Sequence, residues 1–222
     1  MSSDDQKRTA AEAALEFVQR GEVLGVGTGS TANYFIDMLG ERFAGQIPAC
    51  VSSSHASSER LRGFGFKVVD LGEVDHYSIY VDGADEFDTA LAMIKGGGGA
   101  LTSEKIVSSL AAQFICIVDA SKRVDVLGTF PLPVEIIRMA ERAVVGVLRD
   151  LGGEPVRREG FVSDHGNPIL DVHGFRITDP VILEGEIEAI PGVVACGLFA
   201  RRPADIVLMG TDHGVQRFGV PL

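Results

Sequence analysis

The sequence predicts an α/β fold: an open, mostly parallel, Rossmann-like sheet flanked by helices, with a smaller ferredoxin-like α+β domain inserted. Three observations predict it. Short apolar runs alternate with helix-like segments through residues 1–130. Four of those runs, closing at Val26, Val51, Val81 and Val118, lead into polar loops, as strands of an open sheet do at their carboxyl ends. Further on, the segments run in the order β-α-β-β-α-β. The resulting division is an α/β domain of residues 1–130 plus 203–222 and a smaller α+β domain of residues 131–202.

The elements follow in order. Ser3-Asp4-Asp5-Gln6 has the form of a capping box and opens a helix carrying Ala10, Ala11, Ala14, Leu15 and Val18, stopped by Gly21. Val23 to Val26 is a short strand, Gly27 to Thr31 a glycine-rich turn, and Ala32 to Phe43 a helix. Strand, turn and helix in that order place backbone N–H groups where they hold a phosphate. The turn also fits the dinucleotide pattern G-x-G-x-x-A, but the next strand, Ala49 to Val51, ends in Ser52-Ser53-Ser54-His55 with no carboxylate for a ribose. The hydroxyls of Thr28 and Ser30 suit a small phosphate better. A helix over 56–63 and strands at 67–70, 78–81 and 114–118 complete the first part.

Beyond residue 130, Leu132 to Ile136 is a strand, and Met139, Ala143, Val144, Val147 and Leu148 form a helical stripe ending at Gly152-Gly153. Strands near Val156 to Phe161 and Ile169 to Val172 flank the turn Asp164-His165-Gly166-Asn167. Asp179-Pro180 caps a helix reaching Ile190, and Val193 to Leu198 is the last strand of the unit. Two closing runs, Ile206 to Met209 and Val215 to Val220, return to the first domain.

Composition narrows the function. The chain has 222 residues, with 45% hydrophobic and 23% charged, which is ordinary for a soluble globular protein. Lys and Arg total 20 against 31 Asp and Glu, a formal charge of -11 that argues against nucleic acid or an anionic membrane as partner. No apolar run approaches the length of a membrane span, and Asp4 and Asp5 give the wrong charge order for a secretory signal. Cys50, Cys116 and Cys196 lie far apart in apolar runs, so buried free thiols and a cytoplasmic setting are expected.

The stretch from Ser78 to Lys105 carries the chemistry. A strand ends in Asp82-Gly83-Ala84-Asp85-Glu86; a second apolar run leads to Lys95 and Gly96 to Gly99, and a helix opens with Ala100-Leu101-Thr102-Ser103-Glu104-Lys105. Carboxylates, one lysine and a helix-borne glutamate around a glycine-rich loop suit proton transfer on a polar anionic molecule. Other chemistries lack their motifs: there is no P-loop, no H-E-x-x-H, no paired C-x-x-C and no G-x-S-x-G. The histidines have no metal-ligand spacing, and Asp82, Asp85 and Asp88 miss the EF-hand pattern.

Together these segments resemble the A-type ribose-5-phosphate isomerases over nearly the whole chain. The resemblance is carried by Gly25 to Ala32, Val51 to Ser54, Tyr80 to Glu86, Met93 to Gly98, Ala100 to Thr102 with Glu104-Lys105, Asp119 to Lys122, Phe130 to Glu135 and Ile190 to Val194. It implies interconversion of D-ribose 5-phosphate and D-ribulose 5-phosphate in the pentose phosphate pathway, with no metal or organic cofactor, by a homodimer or tetramer. It implies that Glu104 moves the proton between C1 and C2, and that Asp82, Asp85 and Lys95 open the ring and steady the enediolate oxygens. The implied substrate grip is Lys7, Thr28, Gly29, Ser30, Thr31 and Lys122, with Gly83, Ala84, Gly96, Gly97 and Gly98 beside the catalytic groups. Gly99, where the family more often has alanine, and Phe87-Asp88 depart from its pattern away from those positions.

Two other classes fit parts of the pattern. A CoA-transferase-like enzyme could use Glu104 as a nucleophile but needs room for CoA. A sugar-phosphate sensor would keep the grip without needing Glu104, and no DNA-binding segment accompanies it. Only an isomerase makes ketose with solvent deuterium incorporated.

Overall fold

Runs rich in Val, Ile and Leu pair into a six-stranded sheet in the computed structural model, which describes residues 1–219. The strand order is Gly214–Gly219, Ile206–Thr211, Ala111–Asp119, Tyr77–Asp82, Leu24–Val26 and Cys50–Ser52. Five of these run parallel, and only Gly214–Gly219 is antiparallel to its neighbour. The strand expected to close at Val220 has its last residue outside the described residues. Buried on both faces, the central strands read as unbroken apolar runs instead of alternating ones. Val26, Ile79, Val81, Ile115 and Ile117 meet Phe35, Ile36 and Leu39 of the helix Ser30–Phe43, and Ala10, Ala11 and Ala14 of the helix Ser3–Ala14.

Local details differ from expectation. Ser2, not Ser3, caps the first helix: its hydroxyl accepts from Asp5 N–H while the Asp5 side chain accepts from Ser2 N–H. That helix ends at Ala14, and a 3-10 turn follows over Leu15–Phe17. The run at 67–70 forms only a bridge between Val68 and Cys50.

This sheet belongs to a unit made of Met1–Ala84, Ile106–Lys122 and the stretch from Ala204 on. The other unit is Asp85–Lys105 with Arg123–Pro203. Its larger sheet is antiparallel throughout, ordered Val193–Cys196, Leu132–Ile136, Ile169–His173 and Glu154–Arg157. With the helices Glu141–Asp150 and Pro180–Glu188 it forms the expected β-α-β-β-α-β unit. Asp179 caps the second helix by accepting from Ile182 N–H at 3.2 Å. Val144, Leu148 and Ile187 pack against Leu132, Val134, Ile136, Leu170 and Val172.

Met139 is 92% exposed, because Arg138–Ala140 is a 3-10 turn out of phase with the helix it precedes. No strand forms at Phe161: Gly160, at φ 67, turns the chain after Arg157. The last run splits at Gly197, so Leu198–Phe199 joins a separate three-stranded sheet with Met93–Ile94 and Glu86–Phe87. That pairing places residues 85–105 with the second unit, where the sequence suggested the first.

Candidate active site

The first unit holds the glycine-rich turn. Val26 and Val81 sit side by side on parallel strands, so the turn after one strand meets the acidic end of the other. Gly27 N–H donates to Val81 O at 2.9 Å, and Thr28 N–H donates to Asp82 Oδ1 at 3.0 Å. Asp82 Oδ1 also accepts from Gly83 N–H at 2.7 Å, and Oδ2 accepts from the Tyr80 hydroxyl at 2.5 Å. Only glycine fits at 27, because a Cβ there would stand 1.8 Å from Asp82 Cγ. Gly29, at φ 98, is the N-cap of the helix Ser30–Phe43 and leaves that helix's first N–H groups without a side-chain cap. Gly29 and Ser30 are exposed, Thr28 is half-buried and Thr31 is buried. The Ser54 hydroxyl donates to Thr28 Oγ1 at 2.9 Å and accepts from Ser57 N–H at 3.1 Å, linking this turn to the cap of the helix His55–Gly63. A turn of this kind, with exposed backbone at a positive helix end and hydroxyls beside it, can hold a phosphate.

Lys7 and Lys122 lie on adjoining segments of the same unit, since Gln6 Oε1 accepts from Ala120 N–H at 3.2 Å. Lys7 Nζ is 3.6 Å from Asp4. Burial alone would raise the Asp119 carboxyl's pKa. Two bonds from Ser121, with Lys122 nearby, outweigh it and hold the carboxyl below its ordinary value.

The second unit holds Glu104 and Lys95, the residues expected to be the base and its cation. Glu104 lies in the first turn of the helix Leu101–Leu110, with Oε2 3.3 Å from Lys95 Nζ. Both side chains are almost fully buried. Lys95 follows the strand Met93–Ile94, its N–H donating to Gly197 O at 2.8 Å and its Nζ 5.5 Å from the Phe199 ring centre. Asp85 N–H donates to Ile94 O at 2.8 Å, and Asp85 Oδ2 accepts from Gly97 N–H at 2.8 Å. Gly97 and Gly98 are exposed, while Gly96 is buried. Arg158 closes the outside of this loop: it donates to Gly96 O and Gly97 O at 3.3 and 3.1 Å and pairs with Asp171 at 2.6 Å.

The expected residues therefore fall into two groups. Lys7, Thr28, Gly29, Ser30, Thr31, Asp82, Gly83, Ala84 and Lys122 belong to the first unit; Asp85, Lys95, Gly96, Gly97, Gly98 and Glu104 belong to the second. Glu86, the third carboxylate of the acidic run, is committed elsewhere: it accepts from Gly128 N–H at 2.8 Å and Phe130 N–H at 2.5 Å. Sequence reasoning missed Ser54, Tyr80 and Arg158. Ser54 and Arg158 act through partners far along the chain, which no local spacing announces, and Tyr80 acts through Asp82, two residues on in the same strand. Among the described residues, no group of three or more His, Cys, Asp or Glu side chains is placed to hold a metal ion. No described helix is long and apolar enough to cross a membrane.

Comparison with known proteins gives the family. The profile of Ribose 5-phosphate isomerase A (phosphoriboisomerase A) matches residues 49–214. Ribose 5 phosphate isomerase A from Neisseria gonorrhoeae is similar at 46% identity and TM-score 0.95, over 100% of this chain and 99% of that one. Ribose 5-phosphate isomerase A from Methanocaldococcus jannaschii is similar at 41% identity and TM-score 0.94, over 99% of this chain and 100% of that one. A D-ribose-5-phosphate isomerase solved in complex with phospho-erythronic acid is 39% identical, with TM-score 0.94 over 99% of this chain and 100% of that one. With the profile spanning most of its length and such relatives matched end to end, this chain belongs to the ribose 5-phosphate isomerase A family.

Proposed function

We propose that Glu104 is the base of an aldose–ketose isomerisation, with Lys95 and Asp85 beside it and the Thr28–Thr31 turn as the phosphate grip. The reaction itself, D-ribose 5-phosphate to D-ribulose 5-phosphate through an enediolate, is that of the family, within the non-oxidative pentose phosphate pathway. The carrying observation is the buried Glu104–Lys95 pair, 3.3 Å apart, at a helix start reached through four glycines.

Once the ring opens, Glu104 takes the proton from C2 and the C1 carbonyl becomes an oxyanion. Lys95 supplies the positive charge that steadies it. Glu104 returns the proton to C1, while the O2 hydroxyl proton passes to O1, leaving the ketone at C2. Asp85, which accepts from the Gly97 N–H of the glycine loop, serves ring opening. Asp82 stands differently, since Oδ1 accepts from the Thr28 and Gly83 N–H groups and Oδ2 from the Tyr80 hydroxyl of its own strand; its part is to hold Thr28 in place. Lys7, Lys122 and the N-terminal N–H groups of the helix Ser30–Phe43 take the 5-phosphate by charge-assisted bonds.

Glu104→Gln keeps size and polarity but cannot accept the proton. Its kcat should fall about 10²–10⁴-fold with binding nearly unchanged, the usual share of general-base catalysis. Phospho-erythronic acid, an acid that also carries a phosphate, serves as the binding probe. Deuterium uptake from D2O should fall with kcat. Retained turnover in Glu104→Gln beside a dead Asp85→Asn would move the role of base to Asp85.

The protein is further proposed to work as a homodimer in the cytoplasm. Exposed Ile137, Met139 and Val194 lie on segments joined by the bond from Ile137 N–H to Gly192 O at 2.8 Å, and three buried free cysteines suit a reducing compartment. Sedimentation at micromolar concentration should give twice the chain mass, and a monomer there rejects the dimer.

A further inference from the structure

We infer that Glu135 is a positioning residue for this reaction: through Thr102 it sets where the Glu104 carboxylate stands. The inference rests on the reading of Glu104 as the base. Glu135 lies in the strand Leu132–Ile136, fully buried, between the strands Ile169–His173 and Val193–Cys196. Its Oε2 accepts from Thr102 Oγ1 at 2.5 Å; its Oε1 accepts from Ser163 Oγ at 2.7 Å and Asn167 Nδ2 at 2.9 Å. Among the described residues these neutral groups are its hydrogen-bond partners.

A buried carboxylate is a poor stabilising device, because desolvation offsets much of what its bonds return and an apolar residue of similar volume often serves stability as well. Its value lies in direction. The helix that carries Glu104 is entered through Gly96 to Gly99, with Gly96 at φ 102 and Gly99 at φ 84. Such a stretch has the widest conformational freedom of any sequence, so the backbone alone specifies the start of the helix weakly. Side chains must do it. Thr102, two residues before Glu104, is bonded to a strand in the middle of a sheet, among the least deformable places in the unit. One residue after Glu104, Lys105 is held on the other side. Its Nζ is 2.5 Å from the buried Glu184 and donates to Leu198 O at 2.6 Å. The base is thus bracketed by two anchored neighbours, and Thr102–Glu135 is the one nearer the glycines. A shift of about 1 Å in a catalytic group can cost about 10²-fold in rate, so an anchor here acts on kcat.

The test uses the full-length enzyme and three measurements per variant: kcat and KM for ribose 5-phosphate, and the melting curve. Thr102→Val removes the hydroxyl at constant shape. It should lower kcat about tenfold or more with KM within about twofold and the protein fully folded at assay temperature. Thr102→Ser, which keeps the hydroxyl, should recover most of the loss. Glu135→Gln should lower kcat similarly, and the double variant Thr102→Val/Glu135→Gln should be no worse than Glu135→Gln alone. If either single variant fails to fold, the other carries the test. Full kcat in a folded Thr102→Val or Glu135→Gln overturns the inference while leaving the base intact. So does a kcat loss that follows the unfolded fraction. Retained turnover in Glu104→Gln removes the base, and with it this role for Glu135.

Discussion

Asp82 shows how a side chain's neighbours decide what it can do. Its sequence context, Asp82-Gly83-Ala84-Asp85-Glu86, offers three similar carboxylates, and the fold gives them three different tasks. Asp82 holds the Thr28 turn, Glu86 closes the backbone at Gly128 and Phe130, and Asp85 meets the Gly97 N–H. The close fit around Asp82 is testable. Gly27→Ala would drive a methyl to within 1.8 Å of Asp82 Cγ. It should destabilise the protein by about 1–3 kcal/mol or more, the cost of overpacking a rigid site, read as a lower urea midpoint at unchanged m-value. An unchanged midpoint would mean the turn is looser than its bonds imply. The pairing of Glu104 with Lys95 was legible from residue types and order, because a carboxylate and a cation on either side of a short glycine run can be turned back onto each other. Glu135 was not: its bonds reach Thr102 and Asn167, each more than thirty residues away, and no periodicity records them.

At the scale of elements, long periodic segments and all-apolar runs were readable, since burial on one or both faces is written into spacing. The parallel sheet and the β-α-β-β-α-β unit followed from that. Short elements were not readable. Met93–Ile94, Glu86–Phe87 and Leu198–Phe199 are two-residue strands, set by mutual pairing across the chain and not by their own propensity. Gly197 looked like the interior of one strand, yet it is a corner: its N–H donates to Pro133 O at 2.7 Å while its carbonyl accepts from Lys95 N–H. This pairing has a practical result. A fragment of residues 123–203 keeps the four antiparallel strands but loses Met93–Ile94, the partner of Leu198–Phe199. Its bare, apolar strand edge should make it self-associate. Light scattering of the fragment checks this, and a clean monomer would show that the edge is covered some other way.

For the molecule as a whole, the division of the chain matters more than its length. Each unit is assembled from separate segments, and the helix Leu101–Leu110 starts in one and ends in the other, the boundary falling after Lys105. Neither unit can therefore be removed without breaking the helix that carries Glu104. The cysteines allow this to be followed. Burial pushes the thiols of Cys50, in one unit, and Cys196, in the other, up to about 12, so native protein should resist a thiol reagent at pH 8. With rising urea both should become reactive at one common midpoint; two well-separated midpoints would show independent units. A shared helix also makes turnover a sentinel for the fold. With Glu104 one residue short of that boundary, unwinding of this helix from either end would carry the proposed base with it, so an assay of the isomerase would report on the helix that both units share.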